Sequence, residues 1–331
     1  MNTGIVRKLG ERIRQGERRS LARAITLLES TLDPHRGEAE ALLADVLPAA
    51  GRSIRLGITG VPGVGKSTFI EALGYRLAES GHRLAVLTID PSSVISGGAV
   101  LGDKTRMGKL SSHPGVFIRP SPTGGSSGGV ARRTRESILL CEAAGYDIIM
   151  VETVGVGQSE LRVAGMTDFF ILLLLPASGD ELQGIKRGVM ELADLILVNK
   201  ADGDLDTVAR RTVSDYQQAV GLIQPRTPGW KAPVLAVSAL QDEGLGKVLE
   251  TIHRFQAQDR ESGLIEQRRS EQGREWLRQE VHDGLMDLCN REPEFVQLFR
   301  QFETEVCAGR LAATVAARKL VSDITRSKRA S

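Results

Sequence analysis

The 331-residue sequence lacks the features that mark disulfide-rich, zinc-binding and membrane-spanning proteins. Its cysteines, Cys141, Cys289 and Cys307, lie far apart and form no Cys-x-x-Cys pair, so neither a disulfide framework nor a zinc site is indicated. The longest uninterrupted apolar run covers only residues 169–175. Because a membrane-spanning helix needs about 20 apolar residues, we interpret this run as a buried strand.

The sequence also lacks a strong net charge, since 43 basic residues nearly balance 41 acidic ones and leave a formal charge of +2. Bulk electrostatics therefore favours neither nucleic acid nor a membrane as a partner. The N-terminal stretch MNTGIVRKLGERIRQGERRS is rich in Arg but contains Glu11 and Glu17 and has no apolar core, which argues against a secretory signal. We expect a cytoplasmic protein.

Short apolar runs after Gly51 predict the fold class. Six of them have the length of a strand: IRLGIT, RLAVLTID, YDIIMVET, FFILLLLP, DLILVN and PVLAVSA. Amphipathic helical stretches separate most of these runs, a pattern typical of a mainly parallel sheet. We therefore expect an α/β protein with helices on both faces of the sheet.

The two ends of the chain have a helical character. Two short helices are predicted between Ser20 and about Leu47, and three helical patterns follow the last strand beyond about Thr251. The middle of the chain, residues 97–136, is rich in Gly, Ser and Pro and has the composition of mobile loops. The predicted parts are an N-terminal helical segment, 1–50, an α/β domain, 51–255, and a C-terminal helical extension, 256–331.

A glycine-rich stretch after the first predicted strand carries a strong chemical signal. GVPGVGKST, residues 60–68, fits the pattern G-x-x-x-x-G-K-[ST] of phosphate-binding loops, the alternative being a purely structural turn. Glycines let backbone N–H groups and the next helix N-terminus point at a phosphate. Lys66 is expected to reach the β- and γ-phosphates, Ser67 to bind Mg²⁺ and Thr68 to donate to the α-phosphate. The backbone cradle is assigned to Gly60, Gly63, Val64 and Gly65.

A later cluster, Asn199-Lys200-Ala201-Asp202, bears on which base is bound. It is either a guanine clamp or an ordinary strand-to-loop exit. The Asp202 carboxylate can accept hydrogen bonds from N1–H and N2–H₂ of guanine, whereas adenine leaves it unpaired. Asn199 can bond the Asp202 loop or N7, and the Lys200 stem can lie along the ring. GTP is thus favoured over ATP, with further backbone donors for guanine O6 expected at Ser238, Ala239 and Leu240.

Carboxylates at other strand ends predict a magnesium site. Asp90 and Glu152 each end an apolar run and, although a solvated turn is the usual place for one such residue, both should adjoin the phosphate loop. Gly155 can offer its N–H to the γ-phosphate, and Asp103 can approach the metal when GTP orders its loop. The predicted metal ligands are Ser67, Asp90, Asp103 and Glu152.

The expected chemistry is hydrolysis without a protein base. No histidine lies in these motifs, and Gln158 is the nearby amide that can orient a water molecule. Hydrolysis would rest on positioning and on charge neutralisation by Mg²⁺ and Lys66. The residues assigned to catalysis are Lys66, Asp90, Asp103 and Glu152.

As a set, the motifs GITGVPGVGKST, DPSS, GGAVLGDKTRM, RPSPTGG, ETVGVGQSE, GDELQGIKRG and VNKAD closely resemble those of the MeaB/ArgK family, the GTPases associated with methylmalonyl-CoA mutase. The resemblance implies a P-loop GTPase domain of the SIMIBI class and a homodimer built partly through a C-terminal dimerisation arm. It also implies a chaperone that gates adenosylcobalamin loading of an acyl-CoA mutase and protects or repairs that mutase. The family's functional positions fall on Lys66, Ser67, Asp90, Asp103, Glu152, Asn199 and Asp202.

The resemblance also marks residues 177–188, ASGDELQGIKRG, as a switch that responds to the partner, with Asp180 and Lys186 as a charge pair. By composition this stretch is only a polar loop entering a helix. The absence of Asp-x-His-x-x-Gly, a motif with which B12 domains ligate cobalt, indicates that the cobalamin belongs to the partner.

Three other functions remain open. A kinase of a transport system would need an acceptor site and a base near the γ-phosphate. A nickel-delivery GTPase would need a metal-binding cluster, whereas the histidines are scattered. A nucleotide-dependent scaffold would show negligible turnover.

Overall fold

The computed structural model describes residues 3–30, 32–89, 107–120, 127–153, 159–176 and 187–330. The chain forms two compact units, Met1–Glu266 and Gln267–Ser331. Within the described ranges, no helix has both the length and the apolar character needed to cross a membrane.

A parallel sheet forms the centre of the first unit. Its strands among the described residues are β1 Ile54–Gly60, β2 Leu84–Ile89, β3 Val116–Arg119, β4 Ile148–Thr153, β5 Phe169–Leu174, β6 Leu195–Val198 and β7 Val234–Ala236. Their order is β3-β2-β4-β1-β5-β6-β7, and each neighbouring pair is parallel. The predicted α/β fold is therefore confirmed. Because the strands are parallel, their carboxyl ends share one edge, where ligands bind in such sheets.

Helices of the described residues flank the sheet in the first unit and form the second unit. They are α1 Thr3–Arg14, α2 Arg18–Glu29, α3 Asp33–Val46, α4 Lys66–Glu79, α5 Gly108–Ser112, α6 Ser127–Ala143, α7 Ser159–Ala164, α8 Arg187–Met190, α9 Asp206–Gly221, α10 Leu245–Ser262, α11 Leu264–Arg291, α12 Pro293–Cys307 and α13 Ala313–Ala330. The predicted N-terminal pair corresponds to α2 and α3, and the three C-terminal patterns correspond to α11, α12 and α13. The sequence pattern does not predict helix α1.

The middle of the chain differs from its sequence prediction. Residues 97–136, expected to be mobile loops, contain α5, β3 and the start of α6. Strand β3 has only four residues, too few to show an alternating pattern, and it exists because it pairs with β2, with Val116 beside Leu84. Helix α6 forms despite two glycines in its first turn because Val130, Ile138 and Cys141 bury an apolar face.

The N-terminal helices pack on α6 and belong to the core of the first unit. Leu21 and Ile25 of α2 are fully buried in a cluster that also holds Leu42 of α3 and Ile138 of α6. Pro34 occupies the first turn of α3, where its missing N–H costs no helical hydrogen bond. The segment 1–50 is thus one face of the α/β unit.

A buried ion pair ties β1 to α6. The Arg55 guanidinium donates to both Glu142 carboxylate oxygens, at 2.8 and 2.9 Å. The same carboxylate accepts from Ser53 Oγ at 2.6 Å and from the Gly51 N–H at 2.8 Å. Burial raises the pKa of Glu142, but these donors outweigh it, so the pKa lies below its usual value.

The second unit contains most of α11, followed by α12 and α13. Helix α11 is described throughout, and none of its residues is buried. Five of its large apolar side chains are exposed, and four of them recur every three or four residues, which places these four along one side of the helix. These residues, called the α11 stripe below, are Leu277, Val281, Leu285 and Leu288.

Candidate nucleotide-binding site

The predicted phosphate loop connects β1 to α4 at the carboxyl edge of the sheet. Gly65 is the residue before α4 and has φ +92°, a left-handed conformation that glycine adopts without strain. A Cβ at Gly65 would lie 2.8 Å from Asn199 Nδ2, and one at Gly60 would lie 2.5 Å from the Leu173 carbonyl oxygen. A side chain at either position would therefore clash with these neighbouring atoms. Gly63 lies at the exposed tip of the loop, with φ +77°.

Lys66 begins α4 and is buried, with its ammonium group turned back to the loop. Its Nζ donates to the Gly60 carbonyl at 2.8 Å and to the Val61 carbonyl at 3.2 Å. Burial lowers the pKa of Lys66, while the nearby carboxylates of Glu152 and Glu160 oppose this shift. The loop thus holds a buried cation beside two buried carboxylates.

Ser67 and Glu152 meet beside this cation because β1 and β4 are neighbours. Ser67 Oγ donates to Glu152 Oε1 at 3.1 Å, and the Glu152 side chain is buried at the end of β4. A hydroxyl in the first turn of α4 and a carboxylate near the end of β4 fit Mg²⁺, which takes few protein oxygens and completes its shell with water and phosphate. Among the described residues, no group of three or more His, Cys, Asp or Glu side chains could hold a metal.

Asn199 joins the phosphate loop to the base-binding side of the edge. Its side chain is buried at the end of β6, where Nδ2 donates to the Val64 carbonyl at 2.8 Å. Its Oδ1 accepts from the Ala239 N–H at 3.1 Å. One side chain therefore holds two loops that sequence analysis assigned to the phosphates and to the base.

Asp202 lies at the other end of the same cluster and is only half-buried. Its Oδ2 accepts a hydrogen bond from Ser238 Oγ, and Ala201 N–H donates to the Val237 carbonyl at 3.0 Å. Lys200 adopts φ +61°, which turns the chain sharply between Asn199 and Asp202 and leaves the lysine exposed. The cluster therefore forms a turn whose conformation these hydrogen bonds hold.

The loop after β7 offers fewer backbone donors than predicted. The Ser238 N–H donates to the Glu243 carbonyl at 3.1 Å, and the Ala239 N–H is used by Asn199. Leu240 is exposed at the tip of this loop. These two contacts use the N–H groups of Ser238 and Ala239. Of the three N–H groups expected to donate to guanine O6, that of Leu240 is left available by these contacts.

The remaining predicted residues lie in different places. Thr68 is exposed in the first turn of α4, beside the loop. The sequence analysis assigned no role to Glu160 of α7, the last residue of the ETVGVGQSE motif, although its charge acts on Lys66. It also missed Arg76 of α4, whose ion pair with Asp242 joins residues 166 positions apart. Asp90, Asp103, Gly155, Gln158, Asp180 and Lys186 lie outside the described residues.

Comparison with known proteins identifies the family. The family model "Methylmalonyl Co-A mutase-associated GTPase MeaB" matches residues 21–294. The chain belongs to the MeaB family. A probable GTPase of Mycobacterium tuberculosis is 49% identical to this MeaB-family chain over 313 residues, which cover 95% of the chain and 93% of the relative. The mouse mitochondrial methylmalonic aciduria type A homologue is 46% identical over 308 residues, which cover 90% of the chain and 74% of the relative.

A solved structure agrees with this membership. The crystal structure of a LAO/AO transport system kinase has a TM-score of 0.78 and 37% sequence identity, and the match covers 98% of the MeaB-family chain and 99% of the solved one. Relatives named as GTPases and a P-loop GTPase fold together make this protein a GTPase. The expected family and enzyme class are confirmed.

Proposed function

We propose that the protein is a GTP-binding and GTP-hydrolysing chaperone that gates adenosylcobalamin loading of a B12-dependent acyl-CoA mutase and protects or reactivates that mutase. The observation that supports guanine recognition is the bridge made by Asn199, which holds the phosphate loop and the Ser238–Leu240 loop together beside Asp202. The family description, which names methylmalonyl-CoA mutase, supports the partner.

The residues of the site have separable roles in this proposal. Lys66, released from the loop carbonyls, donates to the β- and γ-phosphates, while the loop N–H groups hold the phosphate oxygens. Asp202 accepts from the guanine N1–H and N2–H₂. Ser67 and Glu152 would hold Mg²⁺, together with Asp90 and Asp103, and the metal would supply neutralisation of phosphate charge. Lys66 and these carboxylates position the phosphates rather than act as a base.

The first experiment is calorimetric binding of GDP and ADP, each with Mg²⁺, to wild type and to Asp202→Asn. We expect tight GDP binding, negligible ADP binding and loss of GDP affinity in the variant, because the amide presents an N–H₂ donor to the guanine donors. Indifference to the base in wild type would refute the guanine clamp.

The second experiment measures GTP hydrolysis with and without a cognate mutase at saturating GTP. We propose slow hydrolysis by the protein alone and stimulation by the mutase, which would order the switch segments. Equal rates would contradict this gating.

A kinase function is the competing proposal, since a solved relative carries the name LAO/AO transport system kinase. Transfer of labelled γ-phosphate to a protein or small-molecule acceptor, instead of to water, would favour the kinase.

A further inference from the structure

A side chain of α4, the helix that follows the phosphate loop, contacts the loop after β7. Arg76 Nε donates to Asp242 Oδ1 at 2.7 Å, and a second guanidinium nitrogen donates to Oδ2 of the same carboxylate. The same side chain also donates to the Asp242 backbone carbonyl at 3.2 Å. Both side chains are partly exposed, and hydrogen bonding to Asp242 raises the pKa of Arg76. The Arg76 side chain thus contacts both the side chain and the backbone of Asp242.

Asp242 has a left-handed backbone conformation in that loop. It has φ +60°, which costs a non-glycine residue free energy, and Gly244 follows with φ +76°. A Cβ at Gly244 would lie 2.7 Å from the Ala236 carbonyl oxygen. Ser238 and Glu243 close the loop with reciprocal backbone hydrogen bonds of 3.0 and 3.1 Å. The loop therefore has a defined shape that the Arg76 contacts help to maintain.

Ser238 links the conformation of this loop to Asp202, the carboxylate that we propose recognises the base. Its Oγ donates to Asp202 Oδ2 and accepts from the Gln241 N–H at 3.1 Å. Gln241 is the residue before Asp242, so a continuous set of contacts leads from Arg76 through Asp242 and Ser238 to Asp202. Arg76 itself is ten residues beyond Lys66, or about 15 Å along the helix, and so does not reach the phosphates.

We infer that Arg76 is a positioning residue for base selectivity, which fixes the loop after β7 and thereby aims the Asp202 carboxylate at the guanine 2-amino group. The inference rests on the proposed guanine site and adds a residue of α4 to it. If Arg76 acts in this way, its loss weakens both guanine hydrogen bonds to Asp202 more than it weakens the contacts with the phosphates. Inosine diphosphate makes only the bond from N1–H, so it should lose less affinity than GDP.

The test compares GDP with inosine diphosphate, which keeps N1–H and O6 but lacks the 2-amino group. Competition binding with Mg²⁺ gives the dissociation constants of both nucleotides for wild type, Arg76→Ala and Asp242→Asn. We expect the preference of wild type for GDP over inosine diphosphate to fall about threefold to fivefold in each variant, the size that one exposed ion pair allows. Alanine suits an exposed helix position, and Asn tolerates the left-handed backbone, so both variants should fold.

The matched control is Arg310→Ala, which removes the exposed Arg310–Glu305 pair in the second unit and should leave the preference unchanged. Equal weakening of GDP and inosine diphosphate in the Arg76 and Asp242 variants would indicate a general structural effect and overturn the inference, as would an unchanged preference. A wild-type protein that does not prefer GDP would instead refute the proposed guanine site.

Discussion

At the scale of single residues, Gly65 matters because its lack of a side chain lets Asn199 approach the phosphate loop closely. Alanine at this position would strain φ +92° and bring its Cβ within 2.8 Å of Asn199 Nδ2. We expect Gly65→Ala to lower the free energy of unfolding by about 1–3 kcal/mol. GDP affinity should fall about tenfold, equivalent to 1.4 kcal/mol of lost contact. Chemical denaturation and calorimetry measure the two effects.

Gly81→Ala is the control for Gly65→Ala. Gly81 has φ +90°, but a Cβ there would have no atom within 4 Å. This variant carries the backbone strain alone, so its stability should fall by only about 1 kcal/mol and its GDP affinity should equal that of wild type. Equal GDP affinities for Gly65→Ala and wild type would show that the Asn199 bridge does not matter for binding.

The Glu142 carboxylate determines a pH dependence of stability. Its pKa is below the ordinary value of 4.5 in the folded protein, so the unfolded chain takes up this proton first as the pH falls. The contribution of Glu142 is therefore complete above about pH 4.5 and is lost as the pH falls through the folded-state pKa. Glu142→Gln should cost about 3 kcal/mol at pH 7, because Arg55 stays buried without its partner charge.

Urea unfolding at pH 7 and at lower pH tests the assignment. Wild type should lose more stability on acidification than Glu142→Gln does, since the variant has no carboxyl to protonate at this position. Asp206→Asn is the control, because it removes the exposed Asp206–Arg210 pair and should change stability by less than about 0.5 kcal/mol. Parallel pH curves for wild type and Glu142→Gln would refute the role of this carboxylate.

At the scale of elements, α2 is part of the core of the first unit. Leu21 is fully buried among residues of α1, α3 and α6, whereas Leu47, just after α3, is exposed. We expect Leu21→Ala to lower the free energy of unfolding by about 2–5 kcal/mol and Leu47→Ala by less than about 0.5 kcal/mol. Urea unfolding followed by circular dichroism measures both. A small effect of Leu21→Ala would show that the N-terminal helices contribute little to the core.

Elements with strong local signals were predictable, and those that depend on distant contacts were not. The run of β5 is apolar throughout, β1 leads directly into the glycine-rich loop, and the GKST sequence marks the start of α4 without any structural knowledge. Strand β3 depends on β2, some 30 residues earlier, and helix α1 depends on burial against α3. At the candidate site, motifs in the sequence predict roles for Lys66 and Asp202. The Arg76–Asp242 pair spans 166 positions, so no local pattern indicates it.

At the scale of the whole molecule, the α11 stripe bears on oligomeric state. Leu277, Val281, Leu285 and Leu288 are each more than half exposed, at 66%, 52%, 57% and 59%. Four such side chains on one side of a helix form a contiguous apolar surface, and surfaces of this kind mark interaction sites. We propose that the homodimer implied by the family resemblance, whose arm includes α11, buries this stripe against the second copy.

Replacing both Leu277 and Leu285 by Glu should therefore give a monomer, since the charges would have to be buried in the dimer interface. Sedimentation velocity measures the mass, and circular dichroism checks that the helix content is kept. Leu222→Glu is the control, because Leu222 is 87% exposed but lies at the end of α9 in the first unit, outside the proposed arm. A double variant that remains a dimer would exclude the α11 stripe as the interface, and a monomeric wild type would refute the proposed homodimer.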